Sequence, residues 1–370
     1  MQTELCHRLG LTIPLFAFTR SREVVVAVSR AGGMGVLGVI ATDTETLSAD
    51  LDWIDANIDG KPYGVDVVIP AKHIGGAGGM GNPDDLQKML PEAHRDFVNG
   101  LLERYDVPPL PAEVTAHEAL KAWTDAASRE QVELALRHPI KLIANALGPP
   151  PADIIERCHE QGVMVAALIG SGRHATKQVA AGVDIIVAQG TEAGGHCGEI
   201  STFVLVPEVV DAVGDNGAVL AAGGIGSGRQ MAAALALGAQ GVWTGSIWLT
   251  AAEGDTAQVL KEKLLAAGSR DTIRSRAISG KPARQLKTAW SDAWESTETP
   301  DALPMPLQFM LTAEAVARLH HSAHQGVDNP LLTSPVGQIV GRMNEIRPAA
   351  EIVAEMVAEC EATLARLGKL

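Results

Sequence analysis

Short apolar runs alternate with amphipathic stretches along most of the chain. Eight runs of five to eight residues are separated by segments in which apolar side chains recur every three or four positions. In residues 42–58, for example, Leu47, Leu51 and Ile54 share one helical face. This alternation is typical of βα units on a parallel sheet. The runs are residues 13–18, 36–40, 63–69, 140–147, 163–169, 184–189, 218–222 and 241–245.

Eight such units in about 250 residues predict an α/β fold, a closed (β/α)8 TIM barrel with a helix after each strand. A doubly wound open sheet is the alternative, because it produces the same alternation. Ser21 is a suitable N-cap for the first barrel helix, and the Gly32–Gly33 pair ends it. The predicted helices cover residues 21–30, 42–58, 151–161, 172–181, 206–213 and 228–237.

The repeat is interrupted once and stops near residue 250. We expect residues 1–70 and 140–250 to form the barrel, and residues 71–139, rich in charge, Pro and Gly, to form an inserted lid. Residues 251–370 read as a helical and loop extension, with helices at 256–266 and 349–367 and a loop-rich stretch at 279–344. We expect the insertion and the extension to cover the top of the barrel and wall a pocket.

Composition and charge exclude several classes of partner. The 370 residues carry 30 Lys and Arg against 44 Asp and Glu, a formal net charge of −14, and no basic cluster could follow a nucleic-acid backbone. No apolar stretch reaches the ~18 residues of a membrane span. Four widely separated cysteines without a C-x-x-C pair indicate neither a disulfide framework nor a zinc site. We expect a cytoplasmic protein that binds no nucleic acid, membrane or metal.

The strongest chemical signal follows the sixth predicted strand. Residues 188–198 read AQGTEAGGHCG, and loops after barrel strands converge on the active-site face. Glycines let a backbone approach a flat ligand, and His196 can change protonation near neutral pH. This pattern favours a base at the edge of a cofactor. The alternative is a structural histidine in a tight turn.

A second signal comes from the turns after the seventh and eighth strands. Residues 222–228 read AGGIGSG, and Gly245 and Ser246 follow the last strand. Backbone N–H groups of such turns, with a helix N-terminus behind them, can cradle an anion, and this is a frequent phosphate site in barrels. A flavin phosphate fits this interpretation. Two ordinary tight turns are the alternative.

Three further motifs give weaker evidence for a functional site. Gly76, Gly78 and Gly81 fit G-x-G-x-x-G, but no βαβ unit surrounds them, so a glycine loop over the pocket is favoured over a dinucleotide site. His320 and His324 could face together on a helix, yet a complete ligand set is missing, which favours a solvated helix end. A nucleophilic pair of Cys197 with its neighbour His196 is disfavoured because adjacency in sequence does not orient the two side chains.

At these residues the chain resembles the nitronate monooxygenase family, formerly called 2-nitropropane dioxygenases. The matching segments, in order, are AVSRAGGMG at 27–35, PYGV at 62–65, AQGTEAGGH at 188–196, VLAAGGI at 219–225 and AALALGA at 233–239, followed by Gly245 and Ser246; SGKPAR at 279–284 resembles the family's segment after the barrel. The resemblance covers most of the barrel, and the ordered set is specific for the family.

The resemblance implies an FMN-binding barrel that oxidises alkyl nitronates with O2 to a carbonyl compound and nitrite. It implies that His196 is the catalytic base and removes the α-proton where a neutral nitroalkane is the substrate. The residues that it assigns to the flavin ring or phosphate are Ala17, Phe18, Gln189, Gly194, Gly195, Ala222, Gly223, Gly224, Gly245 and Ser246. The expected partners are a small-molecule substrate and O2, and a homodimer is left open.

The chain departs from the family near the pocket. Residues 15–19 read LFAFT in place of a longer Gln-Ala-Pro-Met type segment, the family's Gly-Val-Asn is Gly-Val-Asp ending at Asp66, and Cys197 stands where Arg is frequent. An ionised Asp66 would only accept hydrogen bonds, whereas an amide also donates them. Two other functions therefore remain: an NAD(P)H-dependent FMN reductase of an enoyl-thioester or quinone, and a non-enzymatic flavin-binding protein.

Overall fold

Eight parallel strands close into a barrel in the computed structural model, which describes residues 2–39, 42–69, 83–111, 125–146 and 148–369. The last barrel strand pairs with the first, with Phe16 opposite Trp243. The predicted TIM barrel is thereby confirmed, and the open sheet is excluded. The barrel strands are β1 Leu15–Thr19, β2 Met34–Gly38, β3 Tyr63–Val67, β4 Leu142–Asn145, β5 Met164–Ile169, β6 Ile185–Gln189, β8 Ala218–Ala222 and β9 Gly241–Thr244; β7, Gly195–His196, lies outside the barrel.

The helices begin at the caps that the sequence provides. Ser21 Oγ accepts from Val24 N, Asp43 caps the next helix through Thr46 N, and Ser227 caps a later one through Gln230 N. The barrel helices are Arg22–Arg30, Thr44–Asn57, Asp125–Ala135, Ala152–Glu160, Gly172–Ala180, Thr202–Val213 and Gly228–Ala236. Further helices are Glu4–Leu9, Pro83–Lys88, Glu92–Arg104, Gln258–Ala266, Ala289–Trp294, Leu307–His324 and Ala349–Leu367, with 3-10 turns at Gly214–Asn216, Ser246–Thr250 and Gln338–Arg342.

Alternate strand residues fill the inside of the barrel. Its inner cluster includes large side chains such as Phe16, Met34, Leu142, Leu220 and Trp243, while the intervening residues pack outward against the helices. At the carboxyl ends of the strands three inward-facing side chains are only partly buried: Phe18, Leu168 and Gln189. These three form the floor of the mouth, which we define as the C-terminal opening of the barrel.

The insertion supplies part of the barrel itself. Helix Asp125–Ala135 packs on helix Thr44–Asn57 and on β3, the place of the helix between the third and fourth strands. Gln131 Nε2 donates to Thr42 O at 2.8 Å, which ties this helix to the loop after β2. The glycine motif at residues 76–81 lies outside the described residues. The domain boundaries at residues 70, 139 and 250 stay predictions.

The extension holds more regular structure than its prolines indicated. Helices Ala289–Trp294 and Leu307–His324 lie in the stretch expected to be loop-rich, since Pro304 and Pro306 precede the longer helix and do not interrupt it. Strands β10 Thr272–Ser275 and β11 Ala283–Leu286 form an antiparallel sheet with β7. In the described ranges, no helix is both long and apolar enough to cross a membrane.

The C-terminal helix Ala349–Leu367 packs closely on helix Gly228–Ala236. A Cβ atom added at Gly228 would lie 2.2 Å from Met356 O and 2.3 Å from Cys360 N, so the two backbones must separate to admit it. We predict that Gly228→Ala lowers the free energy of unfolding by about 1–3 kcal/mol, measured by urea denaturation. Gly100, inside helix Glu92–Arg104, has nothing within 4 Å of its added Cβ, so Gly100→Ala raises stability by up to ~1 kcal/mol. Equal effects of both changes would contradict the close packing.

Candidate active site

The glycine-rich loop after β6 lies between β8 and the extension. Gly190 N donates to Ala222 O at 2.9 Å, and Gln338 N donates to Glu192 O at 2.9 Å. A Cβ at Gly194 would lie 2.8 Å from Gly337 N and from Val336, so only glycine permits this approach. The loop is therefore fixed on both sides before it delivers the next two residues to β7.

His196 is positioned by β7 and by the segment at residues 279–284. It pairs with Ala283 of β11, and its Nε2 lies 2.6 Å from Ser279 Oγ. Burial, and then the positive charge of Lys281, lower the pKa of His196 from 6.5 to about 4. The imidazole is therefore neutral at pH 7, which is the form that accepts a proton.

Ser279 fixes the orientation of this ring. Its Oγ lies 3.3 Å from Lys281 O, so its single proton can go either to that carbonyl or to Nε2. When Ser279 donates to Lys281 O, Nε2–H donates to Ser279 and Nδ1 carries the free lone pair. Among the described residues Nδ1 of His196 has no hydrogen-bond partner. The geometry thus leaves Nδ1 as the ring atom available to a ligand.

A carboxylate and a hydroxyl join the loop after β6 to the turn after β8. Glu192 Oε2 accepts from Thr202 N at 2.9 Å and lies 2.7 Å from Thr202 Oγ1. The same Oγ1 lies 2.9 Å from Gly223 O, so its one proton can serve either acceptor. Sequence reasoning missed both residues. The available signal was Ser201-Thr202 at the start of a helix, a frequent capping pattern.

The turns after β8 and β9 present backbone donors, as their sequences predict. Gly223 and Gly224 have φ values of 102° and 68°, which favour glycine. No hydrogen bond between turns or loops of the described chain uses the N–H groups of Gly223, Gly224, Gly245 or Ser246. Ser246 Oγ accepts from Gly337 N at 2.8 Å, so its hydroxyl proton remains available. By contrast, Gly226 N is already bound by Gln230 Oε1 at 3.0 Å.

The end of β1 presents one side chain to the mouth. Phe18 faces inward and stacks with Trp243, the ring centroids lying 6.4 Å apart. Ala17 faces the outer core and is fully buried, so only its backbone could contact a ligand. Gln189, at the end of β6, faces inward opposite Ala222. Phe18 and Gln189 therefore both face the mouth, from strands that are not adjacent in the barrel.

Asp66 is a buried carboxyl at the C-terminal end of β3. It is 2% exposed, and its Oδ1 has no hydrogen-bond partner within the described part of the chain. Burial raises its pKa from 3.8 to about 7. An orphaned polar atom of this kind is rare in folded proteins and calls for a partner that the protein itself does not supply.

The weaker candidates do not form sites. Burial lowers the pKa of His320 to about 4, so this residue is not a solvated helix end, whereas His324 is exposed. The described ranges contain no group of three His, Cys, Asp or Glu side chains that could hold a metal. Cys197 Sγ donates to Thr191 O at 3.6 Å, and burial raises the pKa of this thiol. A protonated thiol is a poor nucleophile.

The residues at the mouth fit a flavin. Unused N–H groups in two glycine turns suit a phosphate, the orphaned oxygen of Asp66 suits a polar ring edge, and the partly exposed ring of Phe18 suits an aromatic face. Together with the match to a family model, this site identifies the chain as a flavin-dependent oxidoreductase. More particularly, the chain belongs to the nitronate monooxygenase family, whose model matches residues 17–359.

The chain is also similar to several individual proteins. "Putative monooxygenase Rv1533" of Mycobacterium tuberculosis is 48% identical over 370 residues, with 99% of this chain and 98% of that protein covered. The same organism's "(3aS,4S,5R,7aS)-5-hydroxy-7a-methyl-1-oxo-octahydro-1H-indene-4-carboxyl-CoA dehydrogenase" is 28% identical over 301 residues, or 80% of this chain and 69% of its own. A solved nitroalkane oxidase from Streptomyces ansochromogenes matches with a TM-score of 0.79 and 23% identity over 98% and 99% of the two chains, which shows the shared fold.

Proposed function

We propose that this protein binds FMN and oxidises alkyl nitronates with O2 to a carbonyl compound and nitrite. The observation that carries the proposal is the neutral His196 held by Ser279 at the barrel mouth. Membership of the nitronate monooxygenase family supports the same reaction. When bound, the flavin would accept electrons from the nitronate.

The proposed contacts with FMN divide into phosphate and ring. The N–H groups of Gly223, Gly224 and Gly245, with Ser246, would hold the phosphate because they are free to donate. The residues proposed to contact the ring or its approach are Phe18, Gln189, Gly194, Gly195 and Ala222, with the backbone of Ala17. In this proposal the substrate would bind beside His196.

His196 acts on neutral nitroalkanes. Its Nδ1 lone pair accepts the α-proton, the C–H bond breaks, and the electron pair remains on the substrate as the nitronate. Ser279 is hydrogen-bonded to Nε2, the other ring nitrogen, and so leaves Nδ1 to act as the base. Substrates that arrive as nitronate anions need no such step.

A reductase is the second candidate function. An acyl-thioester substrate is supported by a relative named as the dehydrogenase of a carboxyl-CoA compound, which shares 28% identity over 80% of this chain. In that case NAD(P)H would reduce the flavin, and an acyl thioester would occupy the mouth. The same barrel and flavin site serve both candidates, so the reductant distinguishes them.

The test is anaerobic mixing of the FMN-loaded protein with propyl-2-nitronate and, separately, with NADH and NADPH, followed by absorbance. We expect the nitronate to bleach the oxidised flavin band and the nicotinamides to leave it unchanged. Rapid bleaching by a nicotinamide alone would establish the reductase. A protein that takes up no FMN would overturn both functions.

A further inference from the structure

The carboxyl group of Asp66 lies inside the barrel, close to the mouth. In the strand register Asp66 is opposite Gly38 of β2 and Ala144 of β4. Ala144 belongs to the inner cluster, and residues opposite each other in parallel strands face the same side, so Asp66 also faces inward. Only Val67 follows it in β3. The carboxyl therefore belongs to the same end of the barrel as Phe18 and Gln189.

In the part of the chain that the structure describes, the surroundings of Asp66 supply no countercharge. Its neighbours across β2 and β4 are Gly38 and Ala144, and the ring of Phe18 lies over Gly38, 2.7 Å from where a Cβ would stand. The floor residues Leu168 and Gln189, on β5 and β6, are not ionisable. Burial is the only cause of the raised pKa of Asp66.

Titratable groups near the mouth lie on other elements. His196 on β7 and Lys281, before β11, interact with each other, and neither contributes to the raised pKa of Asp66. Lys72 and His73 follow β3 in the sequence but lie outside the described residues. A test must therefore separate the titration of Asp66 from that of these groups.

Burial with an orphaned oxygen, and with no cation beside it among the described residues, shifts the equilibrium of this carboxyl towards its neutral form. The neutral acid has an O–H donor, which the carboxylate lacks. The protonated acid thus conserves the hydrogen-bonding capacity that ionisation would remove.

We propose that Asp66 is a neutral carboxylic acid that donates a hydrogen bond from its Oδ–H to an acceptor atom on the polar edge of the bound flavin ring. The inference rests on the proposed function, because the ring is that of FMN. It makes Asp66 a binding residue whose protonation sets the affinity for the cofactor. No proton is transferred in this role.

The test is FMN binding by the apoprotein from pH 6 to pH 9, followed by quenching of flavin fluorescence. For the wild type we expect a nearly constant Kd below the pKa of about 7, then weakening by about tenfold per pH unit. Asp66→Asn is the matched control, since its amide has nearly the same shape, donates hydrogen bonds and cannot ionise. Its pH profile should lack this slope, whereas any pH dependence that comes from other groups should be the same in both proteins.

Three outcomes would overturn the inference. Parallel profiles for wild type and Asp66→Asn would show that Asp66 does not titrate with binding. Wild-type binding that tightens with pH relative to Asp66→Asn would make Asp66 an ionised acceptor. Absence of FMN binding by the wild type at every pH would overturn the proposed function together with the inference, and so differs from the first two.

A second measurement does not depend on the folding of a variant. Infrared difference spectra of the wild type with and without FMN at pH 8 should show a carboxylic-acid C=O band in the bound state. The band should be absent from Asp66→Asn, whose folding is checked by circular dichroism. A bound wild-type protein without the acid band would overturn the neutral form of Asp66.

Discussion

Replacing His196 by Asn should lower kcat/KM for a neutral nitroalkane by about 10²–10⁴-fold, the range for loss of a general base. Turnover of the pre-formed nitronate should change far less, because that substrate has already lost its α-proton. FMN content should be retained, since the phosphate turns after β8 and β9 do not involve this side chain. The measurement is nitrite release with each substrate form, alongside the flavin spectrum of the purified variant.

The pH profile adds an independent check on the same residue. With a pKa of about 4, the proton-accepting form of His196 is lost only as pH falls toward that value. We therefore expect kcat/KM for the nitroalkane to show no histidine-dependent decline between pH 8 and pH 6. A histidine at its ordinary pKa of ~6.5 would lose half its activity near that pH.

Two further variants test the role of His196 as the base. Lys281→Met removes a charge that lowers the pKa of His196, so its acid limb should move to higher pH. Ser279→Ala frees the ring and should lower kcat/KM while leaving FMN in place.

Unchanged nitroalkane turnover in His196→Asn would exclude this residue as the base. Equal losses with nitroalkane and nitronate would assign it a role other than proton removal.

Most of the barrel could be predicted from local patterns in the sequence. The run at residues 218–222 coincides with β8, and those at 184–189 and 241–245 differ from β6 and β9 by one residue. The spacing of apolar residues and the glycines that end helices are local properties of the sequence. The closed barrel follows from them once eight βα units are counted. The glycine turns after β8 and β9 were predictable for the same reason, whereas their role as phosphate donors stays a prediction.

Contacts between distant segments were not predictable in this way. Ser279 lies 83 positions from His196, and no local pattern indicates that its hydroxyl holds the ring. The sheet of β7, β10 and β11 consists of strands of two to four residues, too short for a period to be visible. The burial of Asp66 is likewise a property of the closed barrel, because its sequence neighbours alone do not show which face of β3 it occupies.

Gly245 provides the clearest test of the flavin phosphate site. A Cβ atom there would make only an ordinary contact, 3.8 Å from Phe18 Cδ1, and its φ of −132° is open to other residues. Gly224 differs, since its φ is 68° and an added Cβ would lie 3.0 Å from Glu192 Cβ. A side chain at Gly245 should therefore disturb a bound phosphate without disturbing the apoprotein.

We predict that Gly245→Val purifies folded but without flavin. If the side chain displaces two charge-assisted hydrogen bonds of about 1.5–3 kcal/mol each, the affinity for FMN falls at least ~100-fold. Flavin content and FMN titration measure the loss, and urea denaturation of the apoprotein should show stability within ~0.5 kcal/mol of the wild type. Gly268→Val is the control and should bind FMN normally, since Gly268 is a half-buried loop position outside the glycine turns, where an added Cβ would lie 3.4 Å from Asp271 Oδ2. Full flavin content in Gly245→Val would show that the phosphate does not bind at the turn after β9, because a valine side chain and a phosphate held by that backbone cannot occupy the same space.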